Sequence, residues 1–175
     1  IILGSRFDKK APSWLPFSKT CKINWENQIS LTQACNKIDI IIHASGLNAQ
    51  ECQKQPEKAL LVNGKYTENL VKAAVTQGVK KFIFLSTAHV YSNKFEGLIT
   101  ESSPTLNNHP YAISNLEGER VVREIFGNNP NDSIILRLSN IFGFPNRKEV
   151  NCWMLFINNV CKEIVQSRRI VIKSN

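Results

Sequence analysis

Several features that would place a sequence in a special class are missing from this one. No apolar run approaches the roughly eighteen residues of a membrane-spanning helix. The N-terminal stretch IILGSRFDKK has its basic residues after its apolar ones, which is the reverse of a secretory signal peptide. With 42% hydrophobic and 21% charged residues, the composition is not that of a disordered chain. We therefore expect a soluble, folded protein with no membrane partner.

The cysteines lack the pattern of a metal site or a disulfide framework. The chain has five, an odd number: Cys21, Cys35, Cys52, Cys152 and Cys161. They form no C-x-x-C pair and have no histidine nearby at the spacing of metal ligands. We interpret them as reduced thiols of a cytoplasmic protein and expect no metal site.

Acidic residues are fewer than basic ones, which raises the question of a nucleic-acid partner. The chain has 22 lysines and arginines against 14 acidic residues, a formal net charge of +8. The basic residues are scattered, their densest cluster is the short SRRIVIK, and no zinc finger or RNP-like aromatic pattern is present. We interpret the charge as solvated surface, with some attraction for anionic nucleotides, and expect no nucleic-acid partner.

Apolar runs and helical periods alternate along the 175 residues, enough for one substantial core. The runs typical of buried strands are IILG, CKINW, KIDIIIHAS, VKKFIFLST, DSIILRLSNIFG with its following loop, and RRIVIK. The segments with helical spacing are QPEKALLVNGKYTENLVKAAVTQG, PYAISNLEGERVVREIFG and NCWMLFINNVCKEIVQ. This alternation predicts an α/β fold, a doubly wound parallel sheet covered by helices on both faces.

Small polar residues follow the predicted strands, where open α/β sheets bind their ligands. A row of this kind suits a nucleotide cleft. The residues in these positions are Ser5, Arg6, His43, Ala44, Ser45, Gly46, Ser86, Thr87, Ser139 and Asn140.

Five stretches in order carry a resemblance to a known family. They are IDIIIHASG, the segment with Asn63 and Thr67, FIFLSTAHVYS, PYAISNLEGE and ILRLSNIFGFP. Together, from about Ile38 to Pro145, they resemble the extended short-chain dehydrogenase/reductase family, the NAD(P)-dependent epimerases and dehydratases of nucleotide sugars. Tyr66 departs from the family's N-x-x-G-T pattern by replacing its glycine. The resemblance implies a Rossmann-like fold, an NAD or NADP cofactor, a nucleotide-sugar substrate, a homodimer, and a role in sugar-nucleotide or polysaccharide metabolism.

The resemblance also implies roles for individual residues. Tyr111 would be the general acid/base during hydride transfer, and Thr87 would hydrogen-bond the reacting oxygen of the substrate. Asn115 takes the position of the family's lysine, which binds the nicotinamide ribose and lowers the pKa of the tyrosine. His89 would face the substrate and Asn140 would lie near its phosphates. The other residues expected to bind the cofactor are Ser5, Arg6, Asn24, Ala44, Ser45, Gly46, Asn63 and Ser86.

Some of these residues have an equally plain structural interpretation. Arg6 stands where an acidic residue would bind the ribose of NAD, so it indicates NADP or is a surface arginine. Asn24 contacts adenine or is a loop residue, and Asn63 has a structural or a proton-relay role. We expect His43 to be packed in the interior, and His89 either faces substrate or fills space.

The loss of the lysine leaves two functional interpretations open. Positions 111 and 115 lie on one helix face, and a phenol with a pKa of about 10 is a poor base without a cation beside it. The chain is then either an active oxidoreductase or a catalytically impaired nucleotide-binding sensor or scaffold. Among reactions, epimerase or keto-reductase ranks above dehydratase, because Ala88 and His89 follow Thr87 where a dehydratase has an Asp-Glu pair.

No glycine-rich phosphate-binding loop is present, and IILGSR resembles the family's second strand. We expect the first βα unit to be absent and the chain to be a fragment or natural truncation of a protein of about 300 residues. Residues 1–145 would be a partial NAD(P)-binding domain and 146–175 the beginning of a substrate-binding region. We expect this piece alone to be inactive.

Overall fold

The computed structural model describes residues 1–7, 9–92, 96–126, 132–145, 150, 152–153 and 155–171. The chain divides into two compact units, Ile1–Leu138 and Ser139–Asn175. The strands of the first unit are β1 (Ile2–Ser5), β2 (Lys19–Lys22), β3 (Ile40–His43), β4 (Lys81–Thr87) and β5 (Ser133–Leu138). Its helices are α1 (Gln28–Ala34), α2 (Ala49–Lys54), α3 (Pro56–Ala59), a π-helical segment (Leu60–Lys65), α4 (Tyr66–Thr76) and α5 (Pro110–Phe126), with a 3₁₀ turn at Ala88–Val90. The second unit contains α6 (Phe156–Ser167).

The strands of the first unit form two parallel sheets instead of one. β1 pairs with β2, and β3, β4 and β5 pair in that order. Between β1 and β3 lies a cavity of about 430 Å³, which both strands line together with Ala34 and Cys35. The carboxyl ends of β1 and β3 line one further cavity together, so the two strands run in the same direction.

The core of the first unit lies between the three-stranded sheet and its helices. Its fully buried side chains include Leu31 of α1, Val71 of α4, Phe82 of β4 and Val122 of α5. The inner face of α4 follows the predicted helical spacing, and the helix stops before Gly78, whose φ of +70° suits glycine. Burial of these apolar faces therefore holds the helices against the strands that carry the site.

The predicted α/β class is confirmed, as are the strands at β1, β3, β4 and β5 and the helix at α5. The second strand is predicted at CKINW, residues 21–25, but it lies at Lys19–Lys22 and so begins two residues earlier. The long helix predicted from Gln55 is divided by the π-helical segment. Two short helices, α1 and α2, went unpredicted, although each has an asparagine N-cap, Asn27 and Asn48.

Two predictions in the second unit need correction. The helix predicted from Asn151 begins at Phe156, because Leu155 is extended and only the following residues have helical hydrogen bonds. The strand predicted for RRIVIK, residues 168–173, is wrong over its described part. Arg168 caps α6 in a left-handed conformation, residues 169–171 belong to no strand, and residues 172–173 lie outside the described residues. Across the part of the chain that the structure describes, no helix has the length and apolar character needed to cross a membrane.

Candidate active site

Tyr111 and Thr87 meet at the carboxyl edge of the three-stranded sheet. Thr87 is the last residue of β4, and Tyr111 lies in the first turn of α5. The Thr87 hydroxyl lies close enough to the Tyr111 phenol to lower its pKa. The Thr87 oxygen also accepts a bond of 3.2 Å from the backbone N–H of His89. The 3₁₀ turn after β4 therefore fixes the hydroxyl that orients the phenol.

The phenol faces a cavity of about 230 Å³ at the end of the sheet. Tyr111 and Asn115 contribute from α5, one helical turn apart, as predicted for residues on one face. The opposite wall is the loop after β3. The remaining lining residues are Ala44, Ser45, Gly46, Leu47, Asn48, Asn63, Phe84 and Leu85.

Asn63, in the π-helical segment, ties that loop to α5. Its Nδ2 donates to the Ser114 hydroxyl at 2.9 Å, and its Oδ1 accepts from the backbone N–H of Leu47 at 2.8 Å. Its side chain is buried, and a Cβ on Gly46 would lie 2.9 Å from Asn63 Oδ1. Glycine at position 46 therefore lets the loop approach the asparagine that holds it.

The electrostatics of the site keep the phenol protonated. Burial raises the pKa of Tyr111 above its ordinary value, the Thr87 hydroxyl opposes that rise, and Cys52 adds to it. Asn115 supplies no positive charge. Its Nδ2 donates at 2.8 Å to the backbone carbonyl of Tyr111, so the buried amide is bonded to its own helix. At neutral pH the arrangement presents a proton donor.

His43 is packed in the interior, as expected, and supports the same loop. The Thr67 hydroxyl donates its one proton to the carbonyl of Asn63 at 2.7 Å. The Thr67 oxygen can therefore only accept from His43 Nε2, which lies 2.9 Å away, so Nε2 carries a hydrogen. Nδ1 is then the acceptor that faces the Ser45 hydroxyl at 3.3 Å. Burial lowers the pKa of His43 to about 4, so the ring is neutral at physiological pH.

A second cavity, of about 330 Å³, continues from the first along the sheet edge. The two share the loop residues 44–47, and the second adds Arg6 and Lys9 after β1. Trp25 and Tyr66 form its aromatic wall, with ring centres 6.2 Å apart and planes at 14°. The Arg6 and Lys9 cations lie 5.9 and 6.0 Å from the centre of the Phe7 ring. The cavities together make an elongated cleft, basic and aromatic at one end and phenolic at the other.

Other predicted residues lie elsewhere or have other partners. Asn24 is exposed, and its Oδ1 accepts from the backbone N–H of Glu26 at 3.1 Å, a local turn that lines neither cavity. The Ser86 hydroxyl donates to Glu119 at 2.6 Å, so a contact with cofactor would have to come from its backbone. The backbone carbonyl of His89 accepts from Asn107 at 2.6 Å. Asn140 is an exposed residue of the second unit.

Sequence reasoning missed three residues that support the site. Ser114 and Glu119 follow Tyr111 by three and eight positions, so helical spacing alone could have placed them on its face. Cys52 could not have been found this way, because it belongs to α2. Its sulfur lies 3.6 Å from Asn63 Nδ2 and 4.0 Å from the Ser114 oxygen.

Comparison with known proteins gives the chain relatives and a family. It is 33% identical over 116 residues to the dTDP-D-glucose 4,6-dehydratase of Mus musculus, which covers 66% of this chain and 33% of that protein. The chain thus spans about one third of that relative. The solved UDP-Glc/GlcNAc 4-epimerase of Campylobacter jejuni is 30% identical, with a TM-score of 0.62 over 69% of this chain and 38% of the other.

A more distant structure, RMD from Pseudomonas aeruginosa complexed with NADPH, shares the fold. It is 22% identical, with a TM-score of 0.65 over 77% of this chain and 48% of that one. These matches confirm the predicted Rossmann-like fold. The model of the NAD dependent epimerase/dehydratase family matches residues 2–173. Because this match spans nearly the whole chain, the chain belongs to the NAD-dependent epimerase/dehydratase family.

Proposed function

We propose that the complete protein is an NAD(P)-dependent oxidoreductase of nucleotide sugars, an epimerase or a keto-reductase. The observation that carries the proposal is the position of Tyr111, next to Thr87 and at the wall of a cavity beside the loop after β3. A sugar hydroxyl or ketone at this point would accept a hydrogen bond from the phenol, and the Thr87 hydroxyl would turn its one hydrogen to the same oxygen. The nicotinamide, when bound, supplies or accepts the hydride.

The protonated phenol favours the reducing direction. When a hydride is added to a sugar ketone, the oxygen becomes an alkoxide and takes the proton of Tyr111, which leaves a phenolate for solvent to reprotonate. Removal of a hydride from a hydroxyl instead needs the phenolate first, and burial disfavours that form. We therefore expect ketone reduction to persist at neutral pH, and oxidation to increase as pH rises.

The residues of the cleft fit a dinucleotide. The loop Ala44–Leu47 borders both cavities, and Gly46 leaves room beside Asn63 for close backbone approach. At the far end, Trp25 and Tyr66 offer aromatic surfaces, and Arg6 and Lys9 offer two cations. Guanidinium and ammonium groups both bind phosphate, which supports NADP over NAD.

Replacement of Tyr111 by phenylalanine tests the proposed reaction. In the complete protein, Tyr111→Phe should lower turnover of UDP- and dTDP-hexoses at least about 100-fold, because the proton donor is lost. Dinucleotide affinity, measured by NAD(P)H fluorescence, should remain within about twofold of the wild type. Unchanged hydride transfer by Tyr111→Phe contradicts the proposal.

The cofactor preference has its own test. Arg6→Ala and Lys9→Ala should each weaken NADPH binding about tenfold and leave NADH binding nearly unchanged, because only NADPH carries the additional phosphate. Equal losses for the two cofactors would show that the cations bind the shared pyrophosphate. No loss for either would show that they are surface charges.

The bond from Asn115 to its own helix supports a second candidate, a nucleotide-binding sensor or scaffold with impaired catalysis. Asn115→Lys separates the two. A large gain in turnover would indicate an impaired site, whereas a loss would mean that asparagine serves the chain's own chemistry. Asn115→Asp is the control, since it has a similar size without a cation.

The interrupted sheet bears on the cofactor site as well. We infer that one further parallel strand of the complete protein fills the cavity between β1 and β3. The cavity is mostly apolar, and Ile40 and Ile42 are 55% and 65% exposed beside it. Such a strand would end at the junction of the two cleft cavities, which the carboxyl ends of β1 and β3 border.

We also propose that the complete protein is a homodimer in the cytoplasm. Leu60, Leu61 and Ile113 are 45%, 43% and 43% exposed, and the π-helical segment contacts α5. An apolar patch on adjacent helices suits a two-fold interface, and the five free cysteines suit a reducing compartment. Ile113→Asp should convert the dimer to a monomer in light scattering.

A further inference from the structure

A buried carboxylate lies two helical turns below the phenol. Glu119 is 0% exposed, yet both of its oxygens are used. Oε1 accepts from the Ser86 hydroxyl at 2.6 Å and from Arg137 Nε at 2.9 Å. Oε2 accepts from Arg137 Nη2 at 2.7 Å and from Arg123 Nη2 at 2.9 Å. Four hydrogen bonds, three of them from cations, offset the cost of burying the charge.

These bonds connect the helix that carries Tyr111 to the strand that carries Thr87. Glu119 belongs to α5, and Ser86 is the residue before Thr87 in β4. Arg137 belongs to β5 and is paired with Ser86 in the sheet. The ionised state holds, since the bonds from Arg137 and Ser86 keep the pKa of Glu119 below its usual value although burial opposes them. A rigid charged anchor therefore joins three elements at one point.

The same anchor reaches the turn after β4. The Arg137 guanidinium lies 4.7 Å from the centre of the Tyr91 ring, directly after the 3₁₀ turn whose backbone bonds Thr87. Thr87 is thus held on one side through Ser86 and on the other through the turn that Tyr91 closes.

Close packing at Gly118, the residue before Glu119, limits how far α5 can shift on β4. A Cβ on Gly118 would lie 2.7 Å from Phe84 Cζ and 2.8 Å from the carbonyl oxygen of Asn63. The helix therefore lies in near contact with β4 at Gly118 and is bonded to it at Glu119. Tyr111 stands about 12 Å further along the same helix. A small shift at the anchor would move the phenol away from Thr87.

We propose that Glu119 is a positioning residue for the proposed reaction: with Ser86 and Arg137 it sets the register of α5 on β4, so that the Tyr111 phenol meets the Thr87 hydroxyl. This inference rests on the proposed function only for its kinetic consequences. The geometric part of the inference, the relative position of the Tyr111 and Thr87 hydroxyls, holds whatever reaction the protein catalyses.

Ser86→Ala is the sharpest test, because it removes one bond of the anchor and leaves the ion pairs in place. In the complete protein we expect kcat to fall about tenfold with KM nearly unchanged, since a misplaced donor acts on the chemical step. Val122→Ala is the matched control, a buried change on the same helix without a bond to the anchor. It should lower the melting temperature at least as much and leave kcat unchanged.

A spectroscopic readout works without turnover. The chain has three tyrosines, so ¹⁹F NMR of protein labelled with 3-fluorotyrosine should give separable signals, and Tyr111→Phe assigns the one from Tyr111. Ser86→Ala and Thr87→Val should both shift that signal and its titration midpoint, whereas Val122→Ala should shift neither. If Ser86→Ala leaves the signal of Tyr111 unmoved, or if Val122→Ala lowers kcat as much as Ser86→Ala does, the proposal is overturned.

Two further outcomes complete the test. Glu119→Gln should have a larger effect on the Tyr111 signal than Ser86→Ala, because it removes the carboxylate charge that pairs with two arginines. If it fails to fold, Ser86→Ala still decides. A complete wild-type protein with no turnover but with the expected shifts would contradict the proposed function and support the positioning role.

Discussion

Helix α5 with strands β4 and β5 can be compared with strands β1 and β2 on the other side of the first unit. On the inner face of α5, the apolar side chains of Val121 and Val122 are buried, and the buried Glu119 carboxylate accepts four hydrogen bonds. Around β1, by contrast, Ile1 and Ile2 are 83% and 46% exposed. The region that carries the proposed chemistry is closed by its own residues, whereas the region that would hold the far end of the cofactor borders an open cavity.

The largest expected effect concerns His43, which lies between the two regions. Its pKa is about 4 in the folded chain and about 6.5 when unfolded, so the unfolded state takes up the proton first. The stability associated with the neutral ring is complete above pH 6.5 and is lost as pH falls toward 4, about 3 kcal/mol in all. His43→Gln should flatten this part of the pH profile in urea unfolding. An identical slope in both proteins would contradict the assignment.

The next effect probes the close contact of α5. Gly118→Ala should cost about 2 kcal/mol in urea unfolding, because the new methyl meets a backbone oxygen and the Phe84 ring. Better helix propensity returns up to about 1 kcal/mol. Gly64→Ala is the control: its Cβ would meet only the Glu117 side chain, which can turn away. Equal losses of unfolding free energy for the two variants would mean that Phe84 and the Asn63 carbonyl move away from the new methyl group at little cost.

The smallest effect belongs to the open region. Ile42→Thr in this chain should change the free energy of unfolding by less than about 0.5 kcal/mol, because the side chain is 65% exposed. Val122→Ala, fully buried in α5, should cost about 2 kcal/mol. In the complete protein the gap should narrow, since we infer that a further strand covers Ile42. A large loss for Ile42→Thr in this chain alone would remove the contrast between the regions.

Much of the fold followed from local patterns. The β-branched runs around Ile41 and Ile83 predict buried parallel strands because such strands need apolar residues on both faces. α1 and α2 escaped prediction because they are only 7 and 6 residues long, too short to show a period. The division of the long helix predicted from Gln55 at the π-helical segment also had no local signal, since it depends on how Asn63 and Gly64 pack against α5.

The candidate site divides in the same way. The sequence by itself determined the class of fold and the alternation of strands and helices, because these depend on periodicity and residue type over short distances. The expected roles of Tyr111, Thr87 and Asn115 came instead from the resemblance that its short stretches carry. Only the tertiary structure decided that Asn115 bonds to its own helix, that Ser86 serves Glu119, and that His43 carries its hydrogen on Nε2. Those facts depend on partners far apart in the chain, and burial makes each polar group take whichever partner the fold brings within reach.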